Sequence, residues 1–272
     1  MTTSTTGAVR AAFDDARREH RPLLVGYLPA GFPSVEGCIA AAKAMVHGGV
    51  DVIEIGLPYS DPVMDGPVIQ QAVDAALRGG IRIADVIRTV QAVAATGAPT
   101  LVMSYWNPIE RYGVDRFADD LAAAGGAGVI TPDLPPEEAG PWTAAAQRAC
   151  LDTVFLVAPS SPDARIDRVA DVTTGFIYAA STMGVTGTRG QVGSRAHELV
   201  DRVRARTESP VAVGLGVSNP DQAREVGKYA DGVIVGSAFV RLLIESSDEA
   251  SGVAAVGALA TELAAGVRRA RA

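Results

Sequence analysis

Lysine is nearly absent from this 272-residue chain: Lys43 and Lys228 are the only two, and every other basic residue is arginine. An enzyme that forms a Schiff base therefore has two amines to choose from. Histidine is scarce as well, with only His20, His47 and His197, too dispersed along the chain to suggest a metal-ligand set. Cysteine is limited to Cys38 and Cys150, far apart in a chain too long to need a disulfide staple, so both read as small reduced core residues in a cytoplasmic protein. Positive charge is in deficit: 24 Lys and Arg against 31 Asp and Glu leave a net charge of −7. A nucleic-acid groove or an anionic lipid surface needs concentrated positive charge, so neither is an expected partner. The N-terminus, MTTSTTGAVR, lacks a charged segment followed by an apolar one, and no secretory signal is expected. The uncharged run 89–109 is broken by Gln91, Gly97, Pro99 and Asn107, which favours helix end, turn and strand over a membrane span.

What is present is apolar. The chain is 48% hydrophobic and 20% charged, enough to bury a large core. At roughly 150 residues per domain the length approaches two domains, although α/β barrels reach about 250 residues as one. Short β-branched runs alternate with turns and amphipathic Ala/Arg-rich stretches. Strands are predicted at Leu23–Leu28, Val50–Gly56, Thr100–Tyr105, Gly128–Pro132, Thr153–Val157, Gly175–Ala179, Val211–Leu215 and Gly232–Val235. Helical stretches are predicted near 34–47, 67–77, 83–95, 115–124, 136–148, 163–171, 194–206, 219–228 and 250–270. Parallel strands joined by helical crossovers, eight times over, predict an α/β fold of the (β/α)8 TIM-barrel type, residues 1–272 forming a single domain. An open doubly wound sheet is the alternative. Ahead of the first strand, Val9, Ala12, Phe13 and Ala16 stand at helical spacing, predicting an extra N-terminal helix across the barrel floor.

In a barrel the turns after each strand build the site. Along the second strand, alternation sends Ile53, Ile55 and Leu57 toward the helices and Val52, Glu54 and Gly56 into the interior. Glu54 is thus a carboxylate among core side chains, where desolvation raises its pKa toward the range of a general acid/base. Gly56 beyond it leaves room for a ligand. A buried Glu neutralised by an arginine is the plain alternative. Asp61 and Asp65, on a Pro-punctuated loop, read individually as turn residues, and only their proximity to Glu54 suggests more.

Two further loops carry unusual chemistry. After the sixth strand, residues 181–193 hold four glycines and no apolar periodicity, the length of a lid. After the seventh and eighth strands come Gly214-Leu215-Gly216 and Gly236-Ser237, whose backbone amides, next to helix N-termini, resemble the phosphate site of many barrels. Plain turns are the alternative for the Gly-Leu-Gly. No GxxxxGK[ST] loop or complete GxGxxG occurs, which argues against nucleotide cofactors. Neither lysine falls at a strand C-terminus and the histidines lie before the first strand, at a helix end and on a helix. Cofactor-free acid/base chemistry remains, on a substrate that holds the developing electrons itself.

The stretch Ile53-Glu54-Ile55-Gly56-Leu57-Pro58-Tyr59-Ser60-Asp61-Pro62-Val63-Met64-Asp65-Gly66-Pro67 strongly resembles the signature of the tryptophan synthase alpha subunit family. Gly184-Val185-Thr186-Gly187 resembles that family's sixth loop, and the likeness runs from about residue 9 to the end. The resemblance implies a lyase that cleaves indole-3-glycerol phosphate to indole and glyceraldehyde 3-phosphate, without a cofactor of its own. It assigns Glu54 as the acid/base and Asp65 as the carboxylate at the indole N–H. It implies that Gly187, Gly216, Gly236 and Ser237 bind phosphate, that Thr186 orders Asp65 as its loop closes, and that Tyr27, Tyr178 and Leu215 wall the indole. It also implies a tryptophan synthase beta subunit carrying pyridoxal phosphate, faced by Pro58 and Asp61 in an α2β2 heterotetramer. The chain departs from the family after the first strand, where Pro29-Ala30-Gly31-Phe32-Pro33 replaces Thr-Ala-Gly-Asp-Pro.

Two other readings remain: a binding and activating subunit without its own turnover, and a phosphosugar isomerase sharing the phosphate loops. The isomerases use Asp or Lys near the first and fifth strand ends, where this chain has Pro29 and Pro159.

Overall fold

The computed structural model describes residues 7–180, 189–214 and 216–271, with 189–193 described by backbone alone. Nine parallel strand segments form one sheet: β1 (Leu23–Pro29), β2 (Val52–Gly56), β3 (Thr100–Met103), β4 (Gly128–Ile130), β5 (Asp152–Val154), β6 (Leu156–Val157), β7 (Ile177–Ala180), β8 (Val211–Gly214) and β9 (Gly232–Val235). Their order is β5-β4-β3-β2-β1-β9-β8-β7-β6. The two ends of that series, β5 and β6, are separated by Phe155 alone. The carbonyl of Phe155 accepts the N–H of Tyr178 at 3.0 Å, so one interrupted strand joins both edges of the sheet. A nearly closed barrel of eight strand positions results, as the alternating pattern predicts, and the open sheet is excluded.

Period-two alternation divides each strand between two cores. Ile53, Ile55 and Leu57 pack outward with the helices, in a layer that includes Trp142, Phe117 and Phe239. Leu23, Val25, Val52, Leu101, Val154, Phe176, Ala212 and Ile234 fill the interior. Each fully buried Leu, Ile or Val contributes on the order of 1.5–3 kcal/mol. The helix Ala8–Arg18 closes the floor with Val9, Phe13 and Ala16, the Phe13 ring lying 5.2 Å from that of Phe176. Its first turn is pinned by Asp152, whose carboxylate accepts the N–H groups of Val9 at 3.0 Å and Arg10 at 3.4 Å. Side-chain caps start the helices Val35–His47, Pro220–Gly227 and Glu249–Arg268 at Ser34, Asn219 and Asp248. The last of these is apolar and long enough to cross a membrane, but Val256, Ala260, Leu263 and Val267 are buried in the outer layer.

The structure corrects several expectations. A helix spans Arg189–Arg204, so the stretch read as loop to residue 193 ends earlier. Two helices lie outside the predicted helical ranges, Trp106–Tyr112 and Ser237–Glu245, the second opening at the N-terminus expected beside Gly236-Ser237. The first contains Pro108, tolerated in a first turn where N–H groups lack intrahelical partners. Cys38 is buried, but Cys150 is exposed at a turn with φ of 56° and is no core residue.

Candidate active site

A cavity of about 760 Å³ opens at the C-terminal ends of the strands. Its base carries Glu54 from β2, Tyr27 from β1 and Tyr178 from β7, and one rim carries Asp65. Opposite stand Gly214, Gly216, Gly236 and Ser237, from the ends of β8 and β9. The structure thus gathers most of the residues singled out in the sequence. Met103, Ile130, Leu156, Ala180 and Ile234 complete an apolar lining that was not singled out, although each follows from inward parity near a strand end.

Glu54 is 2% exposed and points inward, as alternation requires. Its Oε1 has no hydrogen-bond partner among the described residues. Burial alone raises its pKa to about 8. Among the described residues no arginine pairs with it, which counts against the plain reading of a paired structural carboxylate. Asp65 is half-buried, and burial raises its pKa to about 6. The two carboxyls therefore differ in protonation near neutrality, Glu54 holding its proton and Asp65 losing it.

The tyrosines are packed by glycines. A Cβ on Gly56 would lie 2.3 Å from the Tyr27 hydroxyl oxygen, and one on Gly214 would lie 2.5 Å from that of Tyr178. The space expected beside Gly56 for a ligand is thus occupied by Tyr27, because β1 and β2 pair with Pro29 opposite Gly56 and Tyr27 opposite Glu54. Burial raises the pKa of both phenols, with the nearby Asp65 and Glu54 charges adding to it. Both stay protonated donors.

Gly216 adopts φ of +64°, a conformation that favours glycine, and Gly236 and Ser237 open the helix Ser237–Glu245. Their backbone donors and the helix N-terminus suit an anion. Thr186, Gly187 and Leu215 lie outside the described residues. Asp61 is exposed and accepts the Ser60 hydroxyl at 2.5 Å, whereas Pro58 is buried within the chain itself. His20, His47 and His197 are all exposed and away from the cavity. Among the described residues no three His, Cys, Asp or Glu side chains converge on one point.

A family profile for the tryptophan synthase alpha chain matches residues 13–268. The chain belongs to the tryptophan synthase alpha chain family. It is 63% identical over 254 residues to the tryptophan synthase alpha chain of Streptomyces avermitilis, covering 93% of this chain and 92% of the relative. It is 58% identical over 260 residues to that of Salinispora tropica, covering 96% and 97%. A structure of tryptophan synthase from Mycobacterium tuberculosis superposes with a TM-score of 0.90 at 52% identity, covering 97% of this chain and 99% of that one. The alpha subunit from Legionella pneumophila superposes with a TM-score of 0.87 at 31% identity, covering 97% and 99%. As a member of this family it is a carbon–carbon lyase of tryptophan biosynthesis, cleaving indole-3-glycerol phosphate to indole and glyceraldehyde 3-phosphate.

Missed in the sequence was Tyr105, just past β3. Its hydroxyl oxygen accepts the N–H groups of Val63 at 3.1 Å and Met64 at 3.0 Å, beside Asp65. Its place at a strand C-terminal end was the available signal.

Proposed function

We propose that Glu54 and Asp65 carry the cleavage between them, on a substrate whose phosphate rests on Gly216, Gly236 and Ser237 together with Gly187. The observation that carries this reading is the buried carboxyl of Glu54 facing the cavity, its Oε1 without a hydrogen-bond partner among the described residues. Glu54, protonated, gives its proton to C3 of the indole, making an indoleninium. It then takes the proton of the hydroxyl on the adjoining side-chain carbon. That hydroxyl becomes the aldehyde carbonyl as the carbon–carbon bond breaks, and the bonding pair returns to the ring as indole. Glu54 ends protonated, as it began. Ionised Asp65 accepts the indole N–H and stabilises the positive ring. Tyr27, Tyr178 and Leu215 wall the indole, and Thr186 orders Asp65 when the substrate is held.

The reading extends to the surroundings. All 272 residues act as one barrel domain in the cytoplasm, consistent with two free thiols. Released indole passes to a tryptophan synthase beta subunit carrying pyridoxal phosphate in an α2β2 assembly. The loop bearing Pro58 and exposed Asp61 faces that partner, and Val63, 72% exposed at the same tip, supports such a contact.

The test is Glu54→Gln. It should fold normally and lose about 10²–10⁴-fold in turnover, the scale of a lost general acid/base. Near-normal indole release by that variant would overturn the assignment, and release of no indole by the native chain, alone or with its partner, would favour a purely activating subunit.

A further inference from the structure

Asp65 sits at the end of a loop that is held in place from outside. At the loop's start, the N–H of Leu57 donates to the Met103 carbonyl at 2.9 Å. The Tyr59 ring lies 5.4 Å from that of Tyr105, and the Asn107 side chain donates to the Tyr59 hydroxyl at 3.3 Å. At the far end, Gln70 Nε2 donates to the Asp65 carbonyl at 2.7 Å. Immediately before Asp65, both Val63 and Met64 donate their backbone N–H groups to the hydroxyl oxygen of Tyr105, a residue only 2% exposed. A phenolic oxygen accepting two N–H groups has used its acceptor capacity, and among the described residues no other group accepts from those two donors. The Val63 side chain is turned to solvent and supplies no apolar anchor. Polar ties from Tyr105 and Gln70 therefore set where the backbone of Asp65 stands, while the rigidly packed Tyr105 ring transmits the position of the barrel to the loop.

We infer that Tyr105, assisted by Gln70, is the positioning residue that holds Asp65 at the substrate ring without itself touching the reacting atoms. This inference rests on the reading of Asp65 as the carboxylate at the indole N–H. A displacement of about 1 Å in such a group costs up to 10²-fold in rate. Tyr105→Phe keeps the ring packing and removes the acceptor. In the full chain it should lower kcat for indole-3-glycerol phosphate cleavage about 10- to 100-fold, with KM changed less than about twofold and the thermal midpoint little moved. In an Asp65→Asn background the same substitution should cause no further loss, because the group it positions is already gone. Unchanged kcat in Tyr105→Phe, or an equal loss of kcat in the Asp65→Asn background, overturns the inference. Should Tyr105→Phe fail to fold, exposed Gln70→Ala takes its place: a fall in kcat that vanishes in the Asp65→Asn background supports the inference, and no fall overturns it. Near-native cleavage by Asp65→Asn alone removes the Asp65 reading itself, whereas a crippled Asp65→Asn with an additive Tyr105→Phe overturns only the positioning role.

Discussion

The Tyr27 ring occupies the volume that a side chain on Gly56 would need, its hydroxyl oxygen 2.3 Å from where a Cβ would stand. The neighbouring strand pair thereby sets the depth of the cavity beside Glu54. Gly56→Ala is expected to push the buried ring from its rotamer, at the roughly 1–3 kcal/mol typical of overpacking. Thermal denaturation should report the lost stability, and kcat/KM should fall with it. An alanine variant with native midpoint and native kcat/KM would show that the ring yields freely.

Glu54 and Asp65 titrate in a useful order. Asp65, near 6, must be ionised, and Glu54, near 8, must be protonated to begin the reaction. The kcat/KM profile of the free chain is expected to rise through about pH 6 and fall through about pH 8. Asp65→Asn should abolish the acidic limb. An acidic limb that persists in that variant would assign it to another group.

The same burial acts on stability. The folded-state pKa of Glu54, about 8, lies above its ordinary 4.5, so the native state binds the proton more tightly than the unfolded chain. That contribution is full below pH 4.5 and is lost progressively as pH rises to about 8. Glu54→Gln should therefore gain stability relative to the native chain at pH 8 and above, measured by urea denaturation across pH. A difference independent of pH would count against a buried, unpaired carboxyl.

At the opposite end of the barrel, Asp152 accepts the N–H groups of Val9 and Arg10 and the Thr174 hydroxyl. Asp152→Ala leaves buried donors unpaired, at about 1–3 kcal/mol. The expected outcome is a lower thermal midpoint with kcat close to native, because the floor helix lies far from the reacting groups. A large loss of kcat in folded protein would show that floor and mouth are coupled.

Gly216 holds a positive φ, and a Cβ there would meet no atom of the described residues within 4 Å, so Gly216→Ala tests conformation without a collision among them. A strained backbone of this kind costs on the order of 1–3 kcal/mol. If its loop cradles phosphate, KM should rise about fivefold or more while kcat changes little. Unaltered KM would remove Gly216 from the phosphate site.

Eight strand positions, the floor helix and the inward aim of Glu54 could all be read from the amino-acid order, because side-chain alternation and helical spacing are local and survive in one dimension. The motif from Ile53 to Pro67 likewise carried the family without coordinates. The interrupted fifth strand that seals the barrel, the ring of Tyr27 over Gly56, and the grip of Tyr105 on residues more than 40 positions earlier could not be read that way. Each depends on strand register and on which loops meet at the mouth, and those are settled by packing among segments distant in the chain. Cys150 makes the same point from the other side: its residue type favours the core, but a turn between helix and strand leaves it in solvent.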